Sequence, residues 1–274
     1  MSVPRDHHHL PQFMLKGWCN PITGKVTIYT RRDVRVVVSE RIPKYTGYER
    51  DLYTYRDVPT EKRTAIETDF MTPKIDTPAS IILQKMTDRG SLELTDDEKE
   101  TFARFILSLR LRHPDAIAKI REQGHEQLRA EAIREGSSQP IDPALIHNFG
   151  LFIVPHAIAD PKIVDRICTM PWWVVDVRHA NTDLIISDRP CLLEGNAMEG
   201  NCLLVLPLNP ITLLVISNDP TKVEKLYSIN ISDLVSQINF ASVYYASERV
   251  YTTGRQHAPL IEKLLGFRKK SNVF

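Results

Sequence analysis

The chain has 274 residues, 42% of them hydrophobic and 25% charged, a balance that excludes wholesale disorder in a length able to bury a core. Lysine plus arginine number 35 against 34 aspartate plus glutamate, a formal charge of +1, so no bulk field draws the molecule to nucleic acid or an anionic membrane. Cys19, Cys168, Cys191 and Cys202 are widely spaced with no CxxC pair, which speaks against a zinc ribbon and for reduced thiols. With no apolar signal segment and no run of about 18 apolar residues, the expectation is a cytoplasmic protein without a membrane span.

In chain order, the first distinctive segment is His7-His8-His9-Leu10-Pro11-Gln12-Phe13. Pro11 disfavours helix at Leu10, so the histidines belong to an extended or turn segment, where neighbouring side chains point to opposite faces. His7 and His8 then diverge and cannot easily chelate one metal together, while His9 can share the side of His7. Residues 25–38 hold two β-branched-rich stretches around Arg31-Arg32-Asp33 and predict a pair of short strands. Residues 45–55 are aromatic-rich and read as extended, with Gly47 as the turn residue.

From Glu61 the pattern turns helical. Residues 64–70 open an amphipathic stretch, which Pro73 and Pro78 are expected to break before 80–86 resumes it. Thr95-Asp96-Asp97-Glu98 has the form of a capping box, and Phe102, Phe105, Ile106 and Leu109 follow at helical spacing as a core-facing stripe. Pro114 should end that helix. Residues 116–136 predict a largely polar helix stopping at Gly136, followed by an exposed loop at Ser137-Ser138-Gln139-Pro140. Asp142-Pro143 reads as a cap and first-turn proline for a helix to about Ile153, and 163–170 as a further short helix.

The apolar stretches 171–178, 183–187, 202–208 and 212–217 predict strands, antiparallel where the gaps are short. Residues 231–251 return to helix with Ser232 or Asp233 as cap, and the basic end, 267–274, reads as a solvated tail. The expected architecture is therefore α+β in one domain over 1–274: central helices packed on a mixed, mostly antiparallel sheet formed largely by the C-terminal half. Its helical region would cover about 60–170, its sheet-rich region about 171–220 and its C-terminal helix about 231–251.

Several segments together resemble one mainly bacterial family. An N-terminal HHxxPQF is matched by His7, His8, Pro11, Gln12 and Phe13, and a GYExDxY stretch by Gly47, Tyr48, Glu49, Asp51 and Tyr53. LRxP is matched by Arg112 and Pro114, SDxP by Ser187, Asp188 and Pro190, and an N-x-A helix by Asn239 and Ala241. In this order, over roughly residues 5 to 250, the chain resembles domain-of-unknown-function family 4238. Trp18 stands where that family commonly carries phenylalanine, and Arg189 where it commonly carries asparagine. The resemblance implies site positions rather than a reaction. It also places the histidine pair on His7 and His8, followed in frame by PQF, so the run is not read as an affinity tag.

The candidate catalytic residues are His7, His8, Asp188 and Arg112. An imidazole can serve as general base or ligand, and equally as an anchor to backbone carbonyls. Asp188, delivered by an apolar strand, can bind a metal, orient a histidine or act as base; an Asx turn is the competing use. Ser187 lacks a GxSxG elbow. Arg112 can clamp a phosphate or carboxylate, or form a buried ion pair with Glu49 or Glu67. Glu49 and Asp51, two apart in an extended stretch, can share a face and suit a divalent ion or solvent.

Gln12, Glu49 and Asn239 are the candidate substrate-binding residues, and His8, Glu67 and Asp188 the candidate ligands should a divalent metal be used. No GxxxxGK[ST], GxGxxG or HExxH occurs. This inventory points to a hydrolase of a phosphodiester or nucleotide-like substrate. The alternatives are a non-enzymatic binding or sensing module whose polar residues form a buried scaffold, and a toxin or defence ribonuclease. The partner is a small molecule or nucleic acid in either enzyme reading; oligomeric state is open.

Overall fold

The computed structural model describes residues 5–33, 35–89, 92–136 and 140–265, so Ser137-Ser138-Gln139 and the basic tail 267–274 lie outside the described residues. The chain starts with β1 (Asp6–His8) and α1 (Gln12–Lys16), then the hairpin β2 (Val26–Arg32) and β3 (Arg35–Arg41), and β4 (Tyr48–Arg50). A π-helix (Ile66–Asp76) runs into α2 (Thr77–Arg89), followed by α3 (Asp96–Leu111), α4 (Pro114–Arg134), α5 (Pro143–Ile158) and α6 (Pro161–Thr169). Next come β5 (Trp172–Asp176), β6 (Ile186–Ser187), β7 (Leu192–Glu194), β8 (Leu203–Asn209), β9 (Thr212–Ser217), α7 (Pro220–Ser228), α8 (Ile231–Tyr245), β10 (Arg249–Thr252) and α9 (Ala258–Leu265). The fold is α+β, as the element pattern predicts.

Local chemistry accounts for the helix boundaries. The Thr95 hydroxyl accepts from the Glu98 N–H at 3.2 Å while the Thr95 N–H donates to Glu98 Oε2 at 2.8 Å, the reciprocal box that starts α3. Phe102, Phe105, Ile106 and Leu109 are buried, and they seat α3 among the π-helix, α2, α5 and α6. Asp142 caps α5 by accepting the Ala144 N–H at 2.8 Å.

Three segments depart from the sequence expectation. Pro73 and Pro78 do not break the helical stretch: Pro73 lies inside the π-helix and Pro78 in the first turn of α2. A proline in an α-helix clashes with the carbonyl four residues back, whereas the wider i→i+5 turn relieves that contact. The helix expected over 231–251 is capped by Asn230, not by Ser232 or Asp233, and ends at Tyr245 because Ala246 leaves helical geometry with ψ 140. Residues 249–252 then form a strand.

The sheet also differs in detail. All described pairings are antiparallel, and they make three sheets: β1-β4, β3-β2-β10-β6 and β5-β9-β8-β7. Only the last comes wholly from the second half. The second unites β2 and β3 with β10 and β6, a pairing set by long-range burial and not by any local turn. Among the described residues no helix is long and apolar enough to cross a membrane.

Candidate functional site

Strand β1 pairs with β4 in the register His7↔Glu49 and His8↔Tyr48. The alternation of an extended chain therefore sends His7 and His8 to opposite faces, as the sequence predicts. His7 is wholly buried and stacks on Tyr53, with ring centroids 5.3 Å apart and planes at 9°. Its Nδ1 accepts the Tyr53 backbone N–H at 2.8 Å, which leaves the ring proton on Nε2. The Tyr53 hydroxyl in turn donates to the Arg112 carbonyl at 2.9 Å, so His7 fixes Tyr53 and Tyr53 fixes the end of α3. Burial pushes the Tyr53 phenol far above its ordinary range and keeps this donor protonated.

Arg112 is the centre of the site. It is 0% exposed, yet its guanidinium makes one ion pair: Nη1 donates to Asp76 Oδ1 at 2.9 Å and Oδ2 at 3.1 Å. The group also lies over the Phe105 ring at 5.6 Å. Nε and Nη2, the two parallel donors along the other edge, are buried with no hydrogen-bond partner among the described residues. That edge matches a carboxylate or phosphate in bidentate fashion. Neither Glu49 nor Glu67 is the ion-pair partner of Arg112; Asp76 takes that place.

Glu67 nevertheless belongs to the site. Its carboxyl is pushed up to about 7, first by burial and then by the negative charge of Asp76, against the opposing pull of Arg112 and the Thr72 hydroxyl. Burial also raises Asp76, though Arg112 opposes it. The π-helix explains the convergence. Nine residues are two and a half turns of an α-helix and fall on opposite faces, but about two turns at roughly 4.4 residues per π turn. Glu67 and Asp76 thus share the side that faces Arg112.

His8 is half-buried, edge-on to Tyr48 at 5.4 Å, with Nε2 buried and without a hydrogen-bond partner among the described residues. Burial lowers its pKa, and contacts with the backbone of Pro43 and Lys44 oppose this. His9 is buried against His113, ring centroids 5.4 Å apart, and its Nδ1 has no hydrogen-bond partner among the described residues. Burial, then the charges of His113, Arg249, Arg112 and His8, hold His9 far below the ordinary imidazole range, so it is neutral.

The other sequence-predicted residues do not touch Arg112 or Glu67, although Asp188 lies within electrostatic reach of His113. Asp188 is buried, and its carboxylate accepts three backbone N–H groups: Ser247 at 2.8 Å, Glu248 at 2.7 Å and Arg249 at 2.8 Å. It clips the link between α8 and β10. Ser187 exchanges hydrogen bonds with the backbone of Arg189. Asn239 accepts the Ile185 N–H and donates to the Asp183 carbonyl, both at 2.8 Å, fixing the entry to β6. Gln12 is exposed at the start of α1, and Glu49 lies 3.8 Å from Arg249 with a 44% exposed side chain. Asp51 does not share a face with Glu49: β4 ends at Arg50, and Asp51 adopts φ 57 and binds Arg5. Among the described residues no three His, Cys, Asp or Glu side chains are grouped to hold a metal; His8, Glu67 and Asp188 make no such set.

Residues 6–256 match the model of the family described as "Protein of unknown function (DUF4238)". The chain belongs to this family. No curated protein and no solved structure matches it.

In this DUF4238 chain the sequence reading misses Asp76, because a 3.6-residue period and two prolines hide its relation to Glu67. It also misses His113, the cap of α4, whose Nδ1 accepts the Asp115 N–H at 3.2 Å. A third omission is Asp183, held by His257 Nε2 and by the Thr253 hydroxyl, each at 2.6 Å, and by the Gln256 amide. Burial raises the Asp183 carboxyl, but these bonds together outweigh it and hold the group down to about 2. Only the sequence nearness of Thr253, Gln256 and His257 could have suggested a cluster.

Proposed function

We propose that this DUF4238 protein is a hydrolase of a small phosphoester or nucleotide-like substrate, with Arg112 as anion clamp and Glu67 as the group that moves the proton. The observation that carries the reading is the unpartnered Nε–Nη2 edge of a fully buried guanidinium beside a carboxyl poised at about 7. The edge would hold two non-bridging oxygens of the substrate. Glu67 as carboxylate would take the proton of the attacking water while the bond from phosphorus to the leaving oxygen breaks, and the leaving alkoxide would be protonated from solvent. His8, with its unpartnered Nε2, is the alternative base. His7 and Tyr53 are positioning residues. Four unpaired cysteines accord with a cytoplasmic setting.

The test is turnover of 4-nitrophenyl phosphate, bis(4-nitrophenyl) phosphate and a single-stranded RNA, with and without added magnesium. Glu67→Gln should lower kcat by roughly 100-fold or more, the size of a lost proton-transfer group, with little loss of stability. Arg112→Lys, which keeps the charge and loses the fork, should chiefly raise KM. Full activity in Glu67→Gln sinks the reading, and turnover of RNA alone would turn it toward the ribonuclease alternative.

The satisfied carboxylate of Asp188 and the accepting Nδ1 of His7 favour a second reading, a non-enzymatic binding module on a polar scaffold. That reading requires no turnover in the wild-type chain and no functional change in Glu67→Gln.

A further inference from the structure

Arg110 and Arg112 stand two positions apart at the end of α3, and they serve different places. Arg112 meets Asp76, whereas Arg110 lines a cleft of ≈ 280 Å³ between α3, the segment from Arg189 into β7, and the end of α8. Its basic lining residues are Arg110, Arg189 and His113. Among the described residues no carboxylate lines it. Asp115 compensates Arg189 through Nη2 and is also held by the Ser247 hydroxyl at 2.9 Å.

Arg110 instead faces the Cys191 thiol across this lining, a neutral group that burial keeps protonated. Among the described residues Arg110 makes no ion pair, so its guanidinium charge is not cancelled by a neighbouring carboxylate. The remaining walls are apolar, formed chiefly by Leu109, Leu192, Leu193 and Tyr245. A concave, mostly apolar space with a few polar groups is the usual form of a small-ligand site, and this volume falls just below the usual range of about 300–1,000 Å³, which suits a compact ligand.

We propose that this cleft is a separate binding site for a small organic anion, its carboxylate or phosphate held by Arg110 and Arg189 and its compact apolar body packed on Leu109, Leu192 and Tyr245. The site does not depend on the hydrolase reading, because Arg112, Glu67 and Asp76 contribute nothing to its walls.

Isothermal titration of the full chain tests it with 4-methylpentanoate, its neutral amide 4-methylpentanamide, phenyl phosphate and inorganic phosphate. At least one organic anion should bind. The amide should bind at least 10-fold more weakly than the acid, and inorganic phosphate at least 10-fold more weakly than phenyl phosphate. Binding of the carboxylate alone or of phenyl phosphate alone supports the site and tells which head group it takes. Arg110→Gln should weaken anion binding at least 10-fold. No binding by either organic anion overturns the proposal. So does equal binding of acid and amide, of phenyl and inorganic phosphate, or unchanged affinity in Arg110→Gln. The ligand comparisons use the wild-type chain and stand even if the variant fails to fold.

Discussion

At Asp188 the competing uses of one carboxylate give opposite predictions. Its oxygens accept the N–H groups of Ser247, Glu248 and Arg249 from a buried position. Asp188→Ala would strand these donors, at about 1–3 kcal/mol each if they stay buried. A loss of at least about 3 kcal/mol in urea unfolding is expected. Asp188→Asn should cost less, since one amide oxygen still accepts. An unchanged unfolding midpoint in Asp188→Ala would return the residue to the catalytic list. Glu67 offers a test with a definite sign. Its folded carboxyl titrates at about 7 against an ordinary 4.5, so between these values the folded state holds a proton that the unfolded chain has lost. Its contribution is full below about 4.5 and disappears as pH rises through about 7. On the order of 2 kcal/mol should go over that window, after allowance for screening of a partly exposed group. Glu67→Gln should remove that part of the pH slope in denaturant titrations from pH 4 to 8; an identical slope in both proteins contradicts the assignment.

Among the elements, those that depend on neighbours in sequence were legible and those that depend on distant partners were not. The α3 start is written in Thr95 and Glu98, and the β2–β3 hairpin in two β-branched runs, because both are decided within a few residues. The π-helix is invisible to a search at 3.6 residues, and with it the Glu67–Asp76 face. β10 looks like the end of a helix until its pairing with β2 and β6 is known. The site was half legible for the same reason: His7 and Arg112 stand in recognisable motifs, while Asp76 acquires its role only through the π register. The contact of α4 with α5 was equally hidden, since it rests on absent side chains. A Cβ on Gly150 would stand 2.7 Å from the Arg121 Cα, and one on Gly124 3.0 Å from the Phe149 ring. Gly150→Ala must push the helices apart and should cost about 1–3 kcal/mol. It should also disturb the bond of 2.9 Å from Arg121 to the Leu52 carbonyl, which ties α4 to the residue before Tyr53. Thermal unfolding of the variant at wild-type stability would mean that the helices are not in this close contact.

For the whole molecule, three polar clips hold elements that no continuous strand joins. Asp188 ties the end of β6 to the start of β10, Asn239 ties α8 to the approach to β6, and Asp183 ties that approach to residues 253–257 before α9. All three act around β6, a strand of two residues with little ladder of its own. The Asp183 clip is the one that acid should release. Its folded carboxyl lies near 2 against an ordinary 3.8, so the unfolded state binds the proton first as pH falls. The stability it supplies is fully present above about 3.8 and is lost as pH drops through about 2. That loss amounts to about 2 kcal/mol, and its sign is opposite to that of Glu67 in a window that does not overlap. Asp183→Asn should therefore lower stability by a similar amount at neutral pH and flatten the acid limb of the unfolding profile between pH 4 and 2. Hydrogen exchange would locate the effect: β6, β10 and the start of α9 should lose protection together, while α3 and α5, packed in the main core, keep theirs. Uniform loss of protection would show that the clip supports the global fold; unchanged protection at β6 would show that the strand is held without it.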